Sequence, residues 1–116
     1  MNLWVDDERP PPDDGWAWAK TAAHAYQLWC EGTIAELSLD HDLGEGGDTR
    51  RLATSILGMA QAGQRQPPRW FVHSANPVGV EYLTDTLERA DRYWRRHATQ
   101  TNLAASYARK SGGGEP

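Results

Sequence analysis

Residues 2–9, Asn2-Leu3-Trp4-Val5-Asp6-Asp7-Glu8-Arg9, pass from a short apolar run straight into a block of charge. Pro10-Pro11-Pro12 and Asp13-Asp14-Gly15 follow, so the run reads as a buried strand that feeds a loop. The pattern recurs twice. Residues 34–39, Ile-Ala-Glu-Leu-Ser-Leu, lead into Asp40-His41-Asp42, and residues 69–74, Arg-Trp-Phe-Val-His-Ser, lead into Ala75-Asn76. Trp16-Ala17-Trp18-Ala19-Lys20 alternates large and small side chains, as a further short strand does.

Between these runs the apolar spacing changes to three and four. Thr21 can cap a helix through about residue 31, with Ala22, Ala25, Tyr26 and Trp29 on one face and Gly32 closing it. Asp48 or Thr49 can open a second over about 49–62, with Leu52, Ile56, Met59 and Ala60 inward. Asn76 caps a third, opened by Pro77 and striped by Val80, Leu83, Leu87, Ala90 and Trp94, to about residue 96. Beyond residue 98 the stripe fades and a short helical turn is the most expected. The folded domain is read as 1–108 and residues 109–116 as a flexible tail.

The order β, β, α, β, α, β, α predicts an α/β domain with a mostly parallel sheet of about four strands and helices on its faces, in three layers. Crossovers are expected to be right-handed. In open sheets of this kind ligands bind beyond the carboxyl ends of the strands. All three charged strand ends therefore gather at one edge.

Composition narrows the function. A chain of 116 residues holds one domain and buries a real core, and its single cysteine, Cys30, excludes a disulfide framework. No apolar run approaches the ~20 residues that span a bilayer. The first residues lack the basic and apolar regions of a signal peptide, so a cytoplasmic protein without a membrane partner is expected. The formal charge of −4 argues against bulk electrostatic binding, and no binding to duplex DNA is expected. Carboxylates crowd residues 6–14 and 40–48, whereas Arg89, Arg92, Arg95 and Arg96 form a basic segment that can steer phosphate.

Gathered at one edge, several carboxylates raise one another's pKa unless a cation neutralises them. Asp6, Asp7, Asp40 and Asp42 are thus candidate ligands of a hard divalent cation, Mg²⁺ or Mn²⁺. Each aspartate alone serves equally well as a turn residue; the set of four on one edge tips the reading to function. His41 and His73 adjoin these groups, and histidine titrates near neutrality, so both are candidate acid–base catalysts beside Asp40. His24 and His97 lie on helical patterns and read as structural. Ser74 and Asn76, where the last strand turns into a helix, suit an anion site with the helix N–H groups. Arg9 can clamp a phosphate. Gly44, Gly46 and Gly47 make a loop too irregular for a P-loop.

The segments LWVDDERPPP, LSLDHDLG and HSANPVG together resemble the cyclic-phosphate processing receiver-like family, a divergent branch of the response-regulator receiver fold. The resemblance covers about residues 2–96. It implies a receiver-like (flavodoxin-like) sheet in the order 2-1-3-4, a metal on Asp6, Asp7 and Asp40, and a hydroxyl at Ser74. It adds His41, Asp42, His73 and Asn76 as narrower family features. The expected activity is a metal-dependent phosphoesterase acting on a cyclic (2′,3′-type) or terminal phosphate of a nucleotide or RNA end. Ordinary receivers carry a lysine after a fifth strand and lack the two histidines; here no fifth strand is evident and Lys110 lies near the end of the chain. A signalling or nucleotide-binding module without hydrolysis is the alternative.

Overall fold

The computed structural model describes residues 1–112. Its elements are β1 (Asn2–Val5), β2 (Trp16–Ala19), α1 (Ala22–Glu31), β3 (Glu36–Leu39), α2 (Arg50–Gln61), β4 (Arg69–Val72) and α3 (Pro77–Gly112), with a 3-10 turn at Gly44–Gly46. All pairings are parallel and the order is β2-β1-β3-β4, as the receiver-like reading expects. Leu3 sits beside Ala17 and Leu37, and Val5 beside Ala19 and Leu39, so one face of the sheet is a continuous apolar layer.

That face carries the core. Leu3, Val5, Leu37 and Leu39 are fully buried, together with Leu52, Ile56, Leu83 and Leu87 from the helices. Each such side chain contributes about 1.5–3 kcal/mol of apolar burial. The steps β2-α1-β3 and β3-α2-β4 move in the same direction across the sheet, and right-handed crossovers in one direction place their helices on one face. α1 packs on α2, where Trp29 Nε1 donates to Ser55 Oγ over 3.2 Å, and α2 packs along α3.

The expectation of helices on both faces therefore holds on one side only. A Pro-rich loop, not a helix, joins β1 to β2, and no strand or helix of the described residues returns behind the sheet. The second face consists of Asn2, Trp4, Trp16, Trp18, Glu36, Ser38, Arg69 and Phe71. Its large aromatics, Trp4, Trp16, Trp18 and Phe71, are not packed against the core cluster. All-parallel sheets are ordinarily covered on both faces, so the open face of this sheet is a departure with consequences below.

α3 also departs from expectation. It continues for 36 residues to Gly112 and does not stop near residue 96. The sequence there has no apolar stripe, yet residues 97–112 hold four alanines, the strongest helix former, and no proline to stop the helix. Of the tail expected over 109–116, residues 113–116 lie outside the described residues. Among the described residues no helix is long and apolar enough to cross a membrane.

Candidate active site at the carboxyl edge of the sheet

The ladder continues past the strand ends and fixes the first residues of each loop. Asp6 N donates to Ala19 O (3.1 Å), Asp40 N to Val5 O (2.9 Å) and His73 N to Leu39 O (3.1 Å). Backbone bonds thus hold Asp6, Asp40 and His73 side by side. Asp6, Asp7 and Asp40 each offer a carboxylate oxygen, and these atoms all lie within 4.8 Å of one another.

Asp6 is the anchor of this group. It is buried, and its Oδ1 accepts from Glu8 N (2.9 Å) and Arg9 N (2.8 Å), which closes the acidic turn on itself. Oδ2 accepts from His73 Nε2 at 2.9 Å. Burial pushes the Asp6 carboxyl upward, but the N–H groups of Arg9 and Glu8 and the contact with His73 outweigh it and hold the pKa below the usual carboxylate value. Two indoles brace the same turn from the open face. Trp18 Nε1 donates to Asp6 O and Trp4 Nε1 to Arg9 O, each over 2.8 Å.

His73 is committed at both nitrogens. Nδ1 meets Ser38 Oγ at 2.8 Å, and the ring stacks on Trp4 with centroids 4.0 Å apart and planes 7° from parallel. An ionised Asp6 only accepts, so Nε2 carries the proton and Nδ1 accepts from Ser38. Burial lowers the His73 pKa below its ordinary value, against the pull of Asp6, and the imidazole is held neutral.

His41 is buried on the other side of the β3 end. Its Nδ1 lies 3.0 Å from Asp42 Oδ1, and Arg50 Nε donates to its Nε2 over 3.1 Å. The ring is therefore a neutral Nδ1–H tautomer clamped between an acceptor and a donor. Gly79 makes room for it: a Cβ there would lie 2.5 Å from His41 Cγ.

Asp42, a sequence candidate for the metal, is placed elsewhere. Its Oδ1 faces His41 and its Oδ2 accepts from Asn76 Nδ2 at 2.9 Å, so the group of three excludes it. Those bonds, Asn76 first and His41 second, lower its pKa. Exposure explains the difference: Asp42 points out along the loop, whereas Asp40 turns back under the His41 N–H, which donates to its Oδ1 at 2.7 Å.

Asn76 caps α3, its Oδ1 accepting from Val78 N (3.1 Å) and Gly79 N (3.2 Å). Pro77 has no N–H and Val80 N donates to Asn76 O, so the first turn of α3 has no free donor and the expected helix-terminus anion site is already filled. Ser74 Oγ accepts from Asn76 N over 3.2 Å and keeps its own proton for a further partner. Arg9 is exposed. Thr49, expected as a possible cap of α2, instead donates from Oγ1 to Asp40 O at 2.8 Å and ties α2 to the end of β3.

The arginines of α3 stand away from this edge. Arg89 follows Pro77 by twelve residues, about 18 Å along a helix, and exposed Glu81, Asp85 and Glu88 lie between. Lys110 is in the far part of α3. Four supporting residues escaped the sequence reading: Trp4, Ser38, Arg50 and Gly79. Only Ser38 left a local trace, as a hydroxyl inside an apolar run.

Among known proteins, the family model described as Cyclic-phosphate processing Receiver domain matches residues 1–89. No curated protein and no solved structure matches the chain. The match spans all four strands, α1, α2 and the first third of α3, and so includes every residue of the carboxyl edge. The chain belongs to the cyclic-phosphate processing receiver family, and its role lies in the processing of cyclic phosphates.

Proposed function

We propose that this domain is a metal-dependent phosphoesterase that opens a 2′,3′-cyclic phosphate, or removes a terminal one, at a nucleotide or RNA end. The observation that carries this reading is the approach of Asp6, Asp7 and Asp40 within 4.8 Å. A hard octahedral cation with ligands at about 2.0–2.1 Å sets opposite oxygens about 4 Å apart, so the three carboxylates fit one Mg²⁺ or Mn²⁺ with a small contraction. When bound, such an ion supplies positive charge that polarises a phosphoryl oxygen and acidifies a nearby water.

The protein's own groups supply orientation and a proton route. His73 and the Glu8 and Arg9 N–H groups prevent Asp6 from turning away, which makes His73 a positioning residue. Opening a cyclic ester forms one P–O bond to water and breaks one to a ribose oxygen, so one proton leaves the water and one reaches the ribose. His41 is the candidate carrier. Asp42 fixes its Nδ1–H, Asn76 fixes Asp42, and the only partner of Nε2 is the exposed Arg50, which a phosphate can draw off. The Ser74 hydroxyl and Arg9 remain as donors for phosphate oxygens.

A nucleotide-binding module without hydrolysis is the second reading, favoured by the engagement of both ring nitrogens of His41 and of His73 within the protein. Incubation with a 2′,3′-cyclic nucleotide and, separately, with a small phosphodonor, each with and without Mg²⁺, decides between the classes. Metal-dependent monoester formation supports the phosphoesterase. Labelling of Asp40 by the phosphodonor, with the cyclic ester untouched, supports receiver signalling. Binding without turnover of either supports the module.

A further inference from the structure

The open face of the sheet holds three of the six tryptophans, the half-buried Trp4, Trp16 and Trp18, and the exposed Phe71. None of them packs on the core, whereas Trp70 and Trp94 do and Trp29 is part of it. Sheets with one solvated face ordinarily place polar residues on it. Here large π surfaces are spent instead.

We propose that this face is a stacking platform for the bases of single-stranded RNA, leading the strand's phosphate end to Asp6, Asp7 and Asp40. It rests on the phosphoesterase reading for the identity of the end, and on the face itself for the strand. Three observations point to this occupant.

First, the platform is continuous with the site. The Trp4 ring stacks on His73 at 4.0 Å, and His73 bonds Asp6 at 2.9 Å, so one layer of rings leads from the sheet to the acidic edge. Second, cations are interleaved with the rings. Lys20 Nζ lies 4.3 Å from the Trp18 ring centre and the Arg69 guanidinium 5.5 Å from that of Phe71, one at each outer strand. Bases on aromatic rings with phosphates on flanking cations is how proteins hold single strands without reading sequence. Third, the charge suits a polyanion better than a second copy of the chain. Glu36, the carboxylate of this face, pairs with the exposed Arg69 at 3.7 Å and the pair is neutral as a unit, so Lys20 over Trp18 leaves the face with a net positive charge.

A platform of this kind reconciles RNA with a net negative chain, because stacking rather than bulk charge provides the affinity. With two cations engaged, log K should fall against log salt with a slope of roughly −1.4. Binding along the arginines of α3 would give a steeper line.

The test is anisotropy of a 5′-fluorescein hexaribonucleotide ending in a 2′,3′-cyclic phosphate, titrated with full-length protein in EDTA. Trp16→Leu and Phe71→Ala are each expected to weaken binding on the order of tenfold, with unchanged circular dichroism. Arg69→Gln is expected to flatten the salt slope, and it keeps the test open should Trp16→Leu fold poorly. Affinity within twofold of wild type in both Phe71→Ala and Arg69→Gln overturns the proposal, as does absence of binding by the wild type. A dimer that Phe71→Ala dissolves and RNA leaves intact assigns the face to a second copy and also overturns it. Binding is read without metal or turnover, so the two readings fail separately. A protein that binds the strand through this face but opens no cyclic phosphate loses the phosphoesterase reading alone. A protein that opens cyclic mononucleotides while its RNA affinity ignores all three substitutions loses the platform alone.

Discussion

His73 Nε2 meets Asp6 Oδ2 at 2.9 Å and so joins the ends of β4 and β1 over the intervening β3, whose Ser38 holds the other side of the same ring. One imidazole thereby spans three strands and sets the direction of the most buried carboxylate in the site. The acidic group is organised by the sheet before any ligand arrives.

His73→Ala removes that bond from a buried acid and the stacking partner from Trp4. Leaving a buried polar group short of a partner costs about 1–3 kcal/mol, so the urea midpoint should fall accordingly. If Asp6 ligates metal, His73 is its outer support, and Mn²⁺ affinity by calorimetry should fall about 10–100-fold. A stable variant with unaltered Mn²⁺ affinity would remove His73 from the account.

Two glycine substitutions form a matched pair. At Gly58, on α2, a Cβ meets nothing within 4 Å, so Gly58→Ala should stabilise by about 0.5–1 kcal/mol through helix propensity. At Gly79 the same change drives a Cβ to 2.5 Å from His41, whose ring is tied at both nitrogens and cannot yield. Overpacking of about 1–3 kcal/mol should exceed the propensity gain there. Thermal melts of opposite sign are expected; stabilisation by both would mean that His41 is not wedged against α3.

Asn76 has two duties that substitution can separate. Asn76→Ala loses the cap on Val78 and Gly79 and should cost about 1 kcal/mol. Asn76→Asp keeps a cap acceptor but sets a carboxylate against Asp42, so helix stability should be largely retained while cyclic-phosphate turnover drops. Equal turnover in Asn76→Asp and wild type would separate Asp42 from the chemistry.

Charge reversal at Arg92 and Arg96 tests steering. These groups lie more than about 18 Å along α3 from its start, beyond the ~8 Å screening length at physiological salt. Encounter rates should therefore be unchanged at 0.15 M salt and fall only near 0.01 M, where screening reaches ~30 Å. A loss at high salt would place the arginines in direct contact with ligand.

The parts of this architecture that rest on local pattern were legible in the sequence. Apolar runs halted by Asp6 and Asp40 marked two strand ends, whereas the third strand, expected to run to Ser74, stops at Val72; parallel order brought all three ends to one edge. The partners of those residues were not legible, because they are set by register: Ser38 reaches His73 from a neighbouring strand, and Arg50 reaches His41 from the next helix. Asp42 read as a metal ligand because spacing alone cannot distinguish it from Asp40; the His41 ring that separates them is a tertiary feature. The bare sheet face was within reach. A Pro-rich link between β1 and β2, combined with right-handed crossovers, already puts both crossover helices on one side.

The central claim, that Asp6, Asp7 and Asp40 support opening of a cyclic phosphate, is tested most directly by ³¹P NMR of a 2′,3′-cyclic nucleotide. The spectrum is followed with Mg²⁺ or Mn²⁺ in the presence of wild type or Asp40→Asn. The account expects the cyclic resonance to give way to a monoester signal with wild type and metal, and to persist with Asp40→Asn or with EDTA. Conversion by Asp40→Asn at the wild-type rate, or a cyclic ester left intact by metal-loaded wild type, would contradict it.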